Sequence, residues 1–291
     1  MDTRSLAIAD PFDLAATTRA LGVGLTDVDG VWWWATDPGS GPTTIAIERT
    51  EGGVLASAWG PGADVVLGRL PVYVGADDVW DDQLLAGPAD RFVRERRGLR
   101  LGATLDIHAA LVKGVLGQQV TTKEAKRSAR LLRNALGSEA PGPHPGLRTP
   151  PPPDVLSTTT YEDLHRFGIE RKRASTLIEV SRRHKRLAEI LTFDVEAAEE
   201  RLLAVRGVGP WTTAIVMGTA VGDRDAVTVG DYHLPNLISW ALAGEDRGDD
   251  TRMLELLEPY RPQRRRVVVS IKQSGIHAPR YGPRTAVRRH L

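Results

Sequence analysis

The chain of 291 residues contains no cysteine. That absence excludes disulfides, thiol nucleophiles, cysteine-ligated zinc and iron–sulfur clusters. No apolar run approaches the 18 residues that a transmembrane helix needs. The opening Met1-Asp2-Thr3-Arg4 lacks the basic start and apolar core of a signal peptide, which makes cytoplasmic residence the expectation. What the chain does have, 41% hydrophobic and 26% charged residues, describes an ordinary globular protein of one large or two to three small domains.

The net charge of +1 conceals an asymmetry. Residues 1–90 carry 14 acidic and 4 basic residues, so the other 201 carry 23 of the 37 acids and 34 of the 38 bases. The last 31 residues hold nine Lys or Arg and no Asp or Glu. Charge segregated in this way suggests that the basic part meets a polyanion, or else presents a solvated face with a basic tail.

The first ninety residues read as α+β. A short helix is expected over Pro11–Leu21, and strands over Val31–Thr36, Thr43–Arg49 and Gly53–Trp59, separated by turn clusters. Successive strand residues face opposite sides, so Trp32, Trp33 and Trp34 cannot form one stacking platform, and core or sheet-surface packing is expected of them. From about residue 100 the periodicity is helical. Leu105, Ala109, Val112 and Leu116 share one face, and Thr121-Thr-Lys-Glu124 is a capping box opening a helix to about Leu136, stopped by Gly137. Residues 138–154 contain seven prolines, Pro150 to Pro153 in succession, and read as a surface excursion or linker. Helices resume near Thr160. Asp194 caps another to about Ala204, and more are expected at 210–221, 232–243, 249–257 and 262–273. The division expected is 1–95 as an α+β domain, 96–273 as a mainly helical core, and 274–291 as a basic tail.

The stretch Leu202-Leu-Ala-Val-Arg-Gly-Val-Gly-Pro-Trp-Thr-Thr-Ala214 carries the most information. An apolar helix runs into Gly207-Val208-Gly209 and at once into a second helix opened by Pro210, a residue favoured at a first helical position. Backbone N–H groups at such a turn suit a phosphate, and glycine permits close approach. With Val208 buried as its anchor, the composite looks like a helix-hairpin-helix element. About twenty residues on, Val227-Thr-Val-Gly-Asp-Tyr-His-Leu-Pro235 places Asp231 before a further helix, either as a simple N-cap or as a functional carboxylate.

The hairpin followed by an Asp before the next helix resembles the helix-hairpin-helix DNA glycosylase superfamily, and within it the bacterial 3-methyladenine DNA glycosylase II family. Gly98-Leu-Arg-Leu101, Val115-Leu-Gly-Gln-Gln-Val-Thr121 and the α+β start with Pro11-Phe12-Asp13 are similar to the same family. The resemblance implies Asp231 as the catalytic aspartate. It implies Trp211 as a pocket residue where endonuclease-III-like members carry a lysine, and Gln119 as the side chain that fills the gap left by a flipped base. It further implies that the main-chain carbonyls of Leu203, Val205 and Val208 hold a monovalent cation, Na+ or K+, with no other cofactor. Ile215 and Lys272 stand where the family carries aromatic pocket residues, and a cationic Lys272 would repel a positively charged base. Arg206, Gly207, Val208 and Gly209, with Arg171, Lys172 and Arg173, are expected to hold double-stranded DNA by its phosphates.

The implied activity is that of a monofunctional glycosylase acting as a monomer. It would remove a damaged, alkylated base in base excision repair. A non-catalytic helix-hairpin-helix DNA-binding protein and a lyase using Lys272 as its amine are the alternatives. Tyr232 either lines the pocket or packs beneath the helix, His233 is close enough in sequence to touch the pocket, and His108 and His165 lack partners at metal spacing. Asp77, Asp78, Asp81 and Asp82 read as a solvated acidic loop.

Overall fold

The computed structural model describes residues 1–22, 26–78 and 87–279. The fold is α+β: a five-stranded antiparallel sheet near the start, followed by a mainly helical region. The strands are β1 (Asp2–Ala7), β2 (Thr26–Val28), β3 (Val31–Thr36), β4 (Thr43–Thr50) and β5 (Gly53–Trp59), ordered β1-β5-β4-β3-β2. Helices α1 (Leu14–Leu21), α2 (Ala63–Gly68), α3 (Leu70–Tyr73) and α4 (Asp90–Arg94) accompany the sheet in sequence. Then come α5 (Ile107–Gly117), α6 (Thr122–Leu136), α7 (Pro153–Thr158), α8 (Tyr161–His165), α9 (Arg171–Arg182), α10 (His184–Ala188) and α11 (Val195–Leu203). The series closes with α12 (Pro210–Val216), α13 (Leu234–Ala243), α14 (Asp250–Leu257) and α15 (Arg264–Gln273).

The sheet buries one face and uses the other. Trp32 and Trp34 point into a core with Ile45, Ile47, Val66 and Leu70. Trp33, on the opposite face as period-2 geometry requires, stacks on Trp59 at 5.4 Å and meets His144 at 5.6 Å. His144 belongs to the proline-rich segment, so residues 138–154 are not a free linker. They fold back as a strap, closed by an isolated bridge between Glu139 and Arg148, against the outer tryptophans. The segment even starts a helix: Pro153 occupies the first position of α7, where its missing N–H costs nothing.

Helix α5 is the axis of the helical region. One side packs with Val180, Leu202 and Val216, the other with Leu132, Leu156 and Leu177. It starts after Leu105, which has a positive φ of 57° and stays outside the helix, and Asp106 caps it through the Ala109 N–H at 2.9 Å. The capping box forms with both reciprocal bonds, Thr121 to the Glu124 N–H and Glu124 to the Thr121 N–H. Ala89, Phe92 and Val93 join the last helices in a core with Ile238, Met253 and Val267.

Asp78 corrects the expectation of a solvated acidic loop. It is buried, accepts the Leu101 N–H at 2.7 Å, and pairs with Arg224 at 2.8 Å and with the buried Arg266. Asp81 and Asp82 lie outside the described residues, as do Arg280, Arg284, Arg288 and Arg289 of the basic tail.

Candidate active site

A cleft of about 2840 Å³ runs between the sheet, α5, α6 and the hairpin. That is several times the roughly 300–1,000 Å³ of a small-molecule pocket, a size suited to a polymer. Basic residues outnumber acidic ones along it by about two to one.

The hairpin between α11 and α12 is built as its sequence implies. Val205 and Val208 are buried among Leu202 and Val216, which anchors the turn from inside. The two glycines differ in their reasons. Gly207 has φ +92°, and a Cβ there would lie 2.1 Å from Thr176 Oγ1, so the fold itself demands glycine. Gly209 has an ordinary φ of −110° and nothing within 4 Å of where a Cβ would stand. Its openness leaves the turn's backbone accessible from outside. Arg206 and Leu203 are exposed beside it.

Helix α5 approaches α12 closely because Gly114 and Gly117 face it. A Cβ on Gly117 would stand 2.8 Å from the tip of the Trp211 ring, and one on Gly114 would stand 2.8 Å from Thr212. Gln118 then ties the two together, its Nε2 donating to the Gly207 carbonyl and to Thr212 Oγ1, each at 2.9 Å. Sequence reasoning assigned Gln118 no role. The next residue, Gln119, turns outward with a positive φ of 55° and is exposed at the cleft.

Asp231 divides its carboxylate between two tasks. Oδ1 accepts the N–H groups of His233 at 2.8 Å and Leu234 at 2.9 Å, capping α13. Oδ2 lies 3.4 Å from the Trp211 indole nitrogen, which donates to it, and both residues line the cleft. Gly230 is held from behind by Asp250 Oδ2 at 2.9 Å. Ile215 and Lys272 line the same cleft.

Other expectations are corrected. Arg173 is buried and donates to the carbonyls of Leu116 and Gly168, each at 3.1 Å, so it props α5 and does not face a phosphate. Arg171 lies over the Tyr161 ring at 4.2 Å, while Lys172 stays exposed on the cleft. Tyr232 is 83% exposed and edges against His233 at 4.8 Å, which puts it at the cleft's rim and not beneath the helix. His108 accepts or donates to Ser181 Oγ at 2.9 Å, and burial pushes its pKa down to about 4. No cluster of His, Asp and Glu among the described residues could hold a metal ion.

Two features were missed. Helix α6 presents Lys123, Lys126, Arg127 and Arg130 along the cleft. Their spacing of three and four residues was visible as a one-sided basic helix. The second is Lys113, the single charged residue between positions 107 and 122, which faces the cleft from α5.

A sheet followed by helices, with a hairpin and an aspartate across a cleft, defines the helix-hairpin-helix glycosylase fold. The 3-methyladenine DNA-glycosylase of Archaeoglobus fulgidus superposes with a TM-score of 0.77, covering 93% of this chain and 96% of that one at 17% identity. No family model matches the sequence. Among curated proteins, a probable bifunctional transcriptional activator/DNA repair enzyme AlkA of Mycobacterium tuberculosis is 32% identical over 139 residues, 47% of this chain and 28% of that protein. The DNA-3-methyladenine glycosylase 2 of Escherichia coli is 28% identical over 182 residues, 62% of each. The chain spans less than two thirds of the length of these curated relatives. By sequence it is similar to 3-methyladenine DNA glycosylases, and it shares their fold. No helix among the described residues is long and apolar enough to cross a membrane.

Proposed function

We propose that the protein is a monofunctional DNA glycosylase, which flips a damaged base out of duplex DNA and hydrolyses its N-glycosidic bond. The observation that carries this reading is the divided Asp231 carboxylate, with one oxygen holding a helix and the other beside Trp211 in the cleft. A plain cap needs no cleft, and a plain DNA binder gains nothing from a carboxylate facing phosphates.

Extruding a nucleotide costs a few kcal/mol. Gln119, exposed on its left-handed corner, enters the vacated stack and offsets part of that cost. The open Gly209 turn and Arg206 take backbone phosphates on the flipped strand, and the basic face of α6 with Lys172 adds sequence-independent attraction. Breaking the glycosidic bond develops positive charge on the sugar. Asp231 Oδ2 stabilises it and accepts a proton from the attacking water. Every group named comes from one chain, so a monomer suffices.

The carbonyls of Leu203, Val205 and Val208 are neutral oxygen donors with no carboxylate among them, a set that suits a weakly held monovalent cation. The Val205 carbonyl already accepts the Val208 N–H at 2.9 Å, and its second lone pair remains for a cation. Bound there, Na+ or K+ would neutralise part of a phosphate's charge.

Asp231→Asn tests the reading. Asn caps a helix as well as Asp, so fold and duplex affinity should persist while base release falls by about 10²- to 10⁴-fold. Near-normal release by this variant would overturn the assignment.

A further inference from the structure

The floor of the cleft carries an anomaly. Helix α5 is packed on both sides by apolar cores, and its sequence from Ile107 to Gly117 holds one charge, Lys113. That residue precedes Gly117 by one turn and so shares its face, the face on which the Trp211 ring rests. The DNA-facing corner is Gln119, six residues on. At 1.5 Å per residue, Lys113 lies about 6 Å along α5 from Gly117 and so one turn from the Trp211 ring, inside the cleft and away from its Gln119 corner.

The ammonium is pressed against Gly22, where a Cβ would stand 2.5 Å from Nζ. Gly22 ends α1 in the left-handed conformation, so the group also faces the negative end of that helix. No ion-pair or hydrogen-bond partner holds Lys113 Nζ among the described residues. Lys113 is exposed to the cleft, and the protein packed around its ammonium, followed by Arg265 and Lys272, pushes its pKa down to about 8. Lys272 reaches the same cleft from α15. The deep end is thus doubly cationic, with Ile215 and the edge of Trp211 for walls. A base that already carries a positive charge is repelled there. A neutral base bearing an exocyclic carbonyl oxygen meets a donor that faces the cleft and that no protein acceptor occupies among the described residues.

We propose that Lys113 is a specificity-determining residue, which donates a hydrogen bond to a carbonyl oxygen of a neutral deaminated or oxidised base and disfavours cationic N-alkylated purines. The inference rests on the glycosylase reading and names its substrate class. It also answers a chemical need. A neutral base leaves poorly: as the C1′–N bond breaks, its electron pair passes to the base, and negative charge spreads onto the carbonyl oxygen. The Lys113 ammonium stabilises that charge and can surrender a proton to it. Water adds to C1′, its proton passes to Asp231, and solvent restores both groups, giving free base and an abasic sugar.

The test uses the full chain and four duplexes, each with one hypoxanthine, 8-oxoguanine, uracil or 7-methylguanine. The wild type should release at least one of the three carbonyl bases more than tenfold faster than 7-methylguanine. Lys113→Met should lower that release by about 100-fold and leave duplex affinity and 7-methylguanine release unchanged or raised. Lys113→Arg, which keeps the charge and a donor, should retain the preference. A wild type that prefers 7-methylguanine, or a Lys113→Met variant that slows all four alike, overturns the inference and leaves the glycosylase reading standing. Release of none of the four overturns the inference, and tight duplex binding with no base released from a wider panel of damaged duplexes would remove the glycosylase reading as well.

Discussion

Replacing Gly209 by alanine adds one methyl group at a point where the chain itself offers no obstacle. Its φ of −110° suits any residue, and no atom lies within 4 Å of the new Cβ. Stability should therefore move by no more than about 0.5 kcal/mol, as for an ordinary surface change. Gly207→Ala is the built-in contrast. Alanine at φ +92° costs about 1–3 kcal/mol of strain, and the Cβ would collide with Thr176 Oγ1 at 2.1 Å. Forcing room for it adds about 1–3 kcal/mol more, so a loss near 3 kcal/mol is expected. Binding should show the opposite order of directness. If a phosphate sits on the turn, the Gly209 methyl displaces it from its backbone donors. A hydrogen bond to a charged group contributes about 1.5–3 kcal/mol, so duplex affinity should fall by about 10- to 100-fold at unchanged melting temperature. Neutral N–H donors release no counterions, so the slope of log K against log salt should stay as in the wild type. Fluorescence anisotropy on an undamaged duplex at several salt concentrations, with thermal melts alongside, reads all three quantities. Wild-type affinity in Gly209→Ala would refute the phosphate site. A stability loss matching Gly207→Ala would refute the distinction between the two glycines.

Two further outcomes follow from the site. The family resemblance implies Trp211 at the position where endonuclease-III-like members carry a lysine, so borohydride trapping with a substrate duplex should give no covalent adduct; a robust adduct that disappears in Lys272→Ala would establish strand-cleaving chemistry instead. His108 is held neutral by burial, with its pKa pushed down to about 4 against about 6.5 when unfolded. The unfolded chain then binds the extra proton, so stability is full above pH 6.5 and falls by roughly 3 kcal/mol as pH drops towards 4. His108→Gln keeps a partner for Ser181 and should flatten that decline in urea titrations, whereas parallel profiles for the two proteins would refute it.

Local chemistry was readable where it is self-contained. The bounds of β3 and β5, the Thr121–Glu124 capping box and the Asp194 cap depend on neighbours in sequence, and each matched. Strands β1 and β2 were missed because Asp2–Ala7 and Thr26–Val28 lie at the sheet's edges, where a partner strand supplies the hydrogen bonds and no buried alternation marks the segment. Arg173 shows what a count of charges leaves out. It shares a helical face with Leu177 and Val180, both buried, so its phase on α9 turns it inward although Arg171 and Lys172 stay out. Asp231 was legible as a carboxylate standing before a helix, and its Oδ1 does cap α13. Its division between cap and cleft is a matter of where each oxygen points, which only the folded chain decides.

The cleft assembles from segments far apart in sequence, and α15 joins several of them. Two adjacent arginines on it are buried, an arrangement that needs compensation. Arg266 is satisfied by Asp78, the Leu99 carbonyl at 3.0 Å and Gln263 at 2.8 Å. Arg265 donates to the Ala20 carbonyl at 3.1 Å, at the end of α1. The bonds to Asp78, Leu99 and Ala20 tie the last helix to the first hundred residues. The consequence reaches the cleft: once Arg265 fixes the end of α1, Gly22 is set against Lys113, and the remaining turns of α15 carry Lys272 to the same floor. An acidic N-terminal part and a basic remainder therefore do more than attract one another at long range. The buried Asp78–Arg266 pair and the carbonyl bonds of Arg265 and Arg266 hold the helices against the first hundred residues, and that register determines which charges a flipped base would meet.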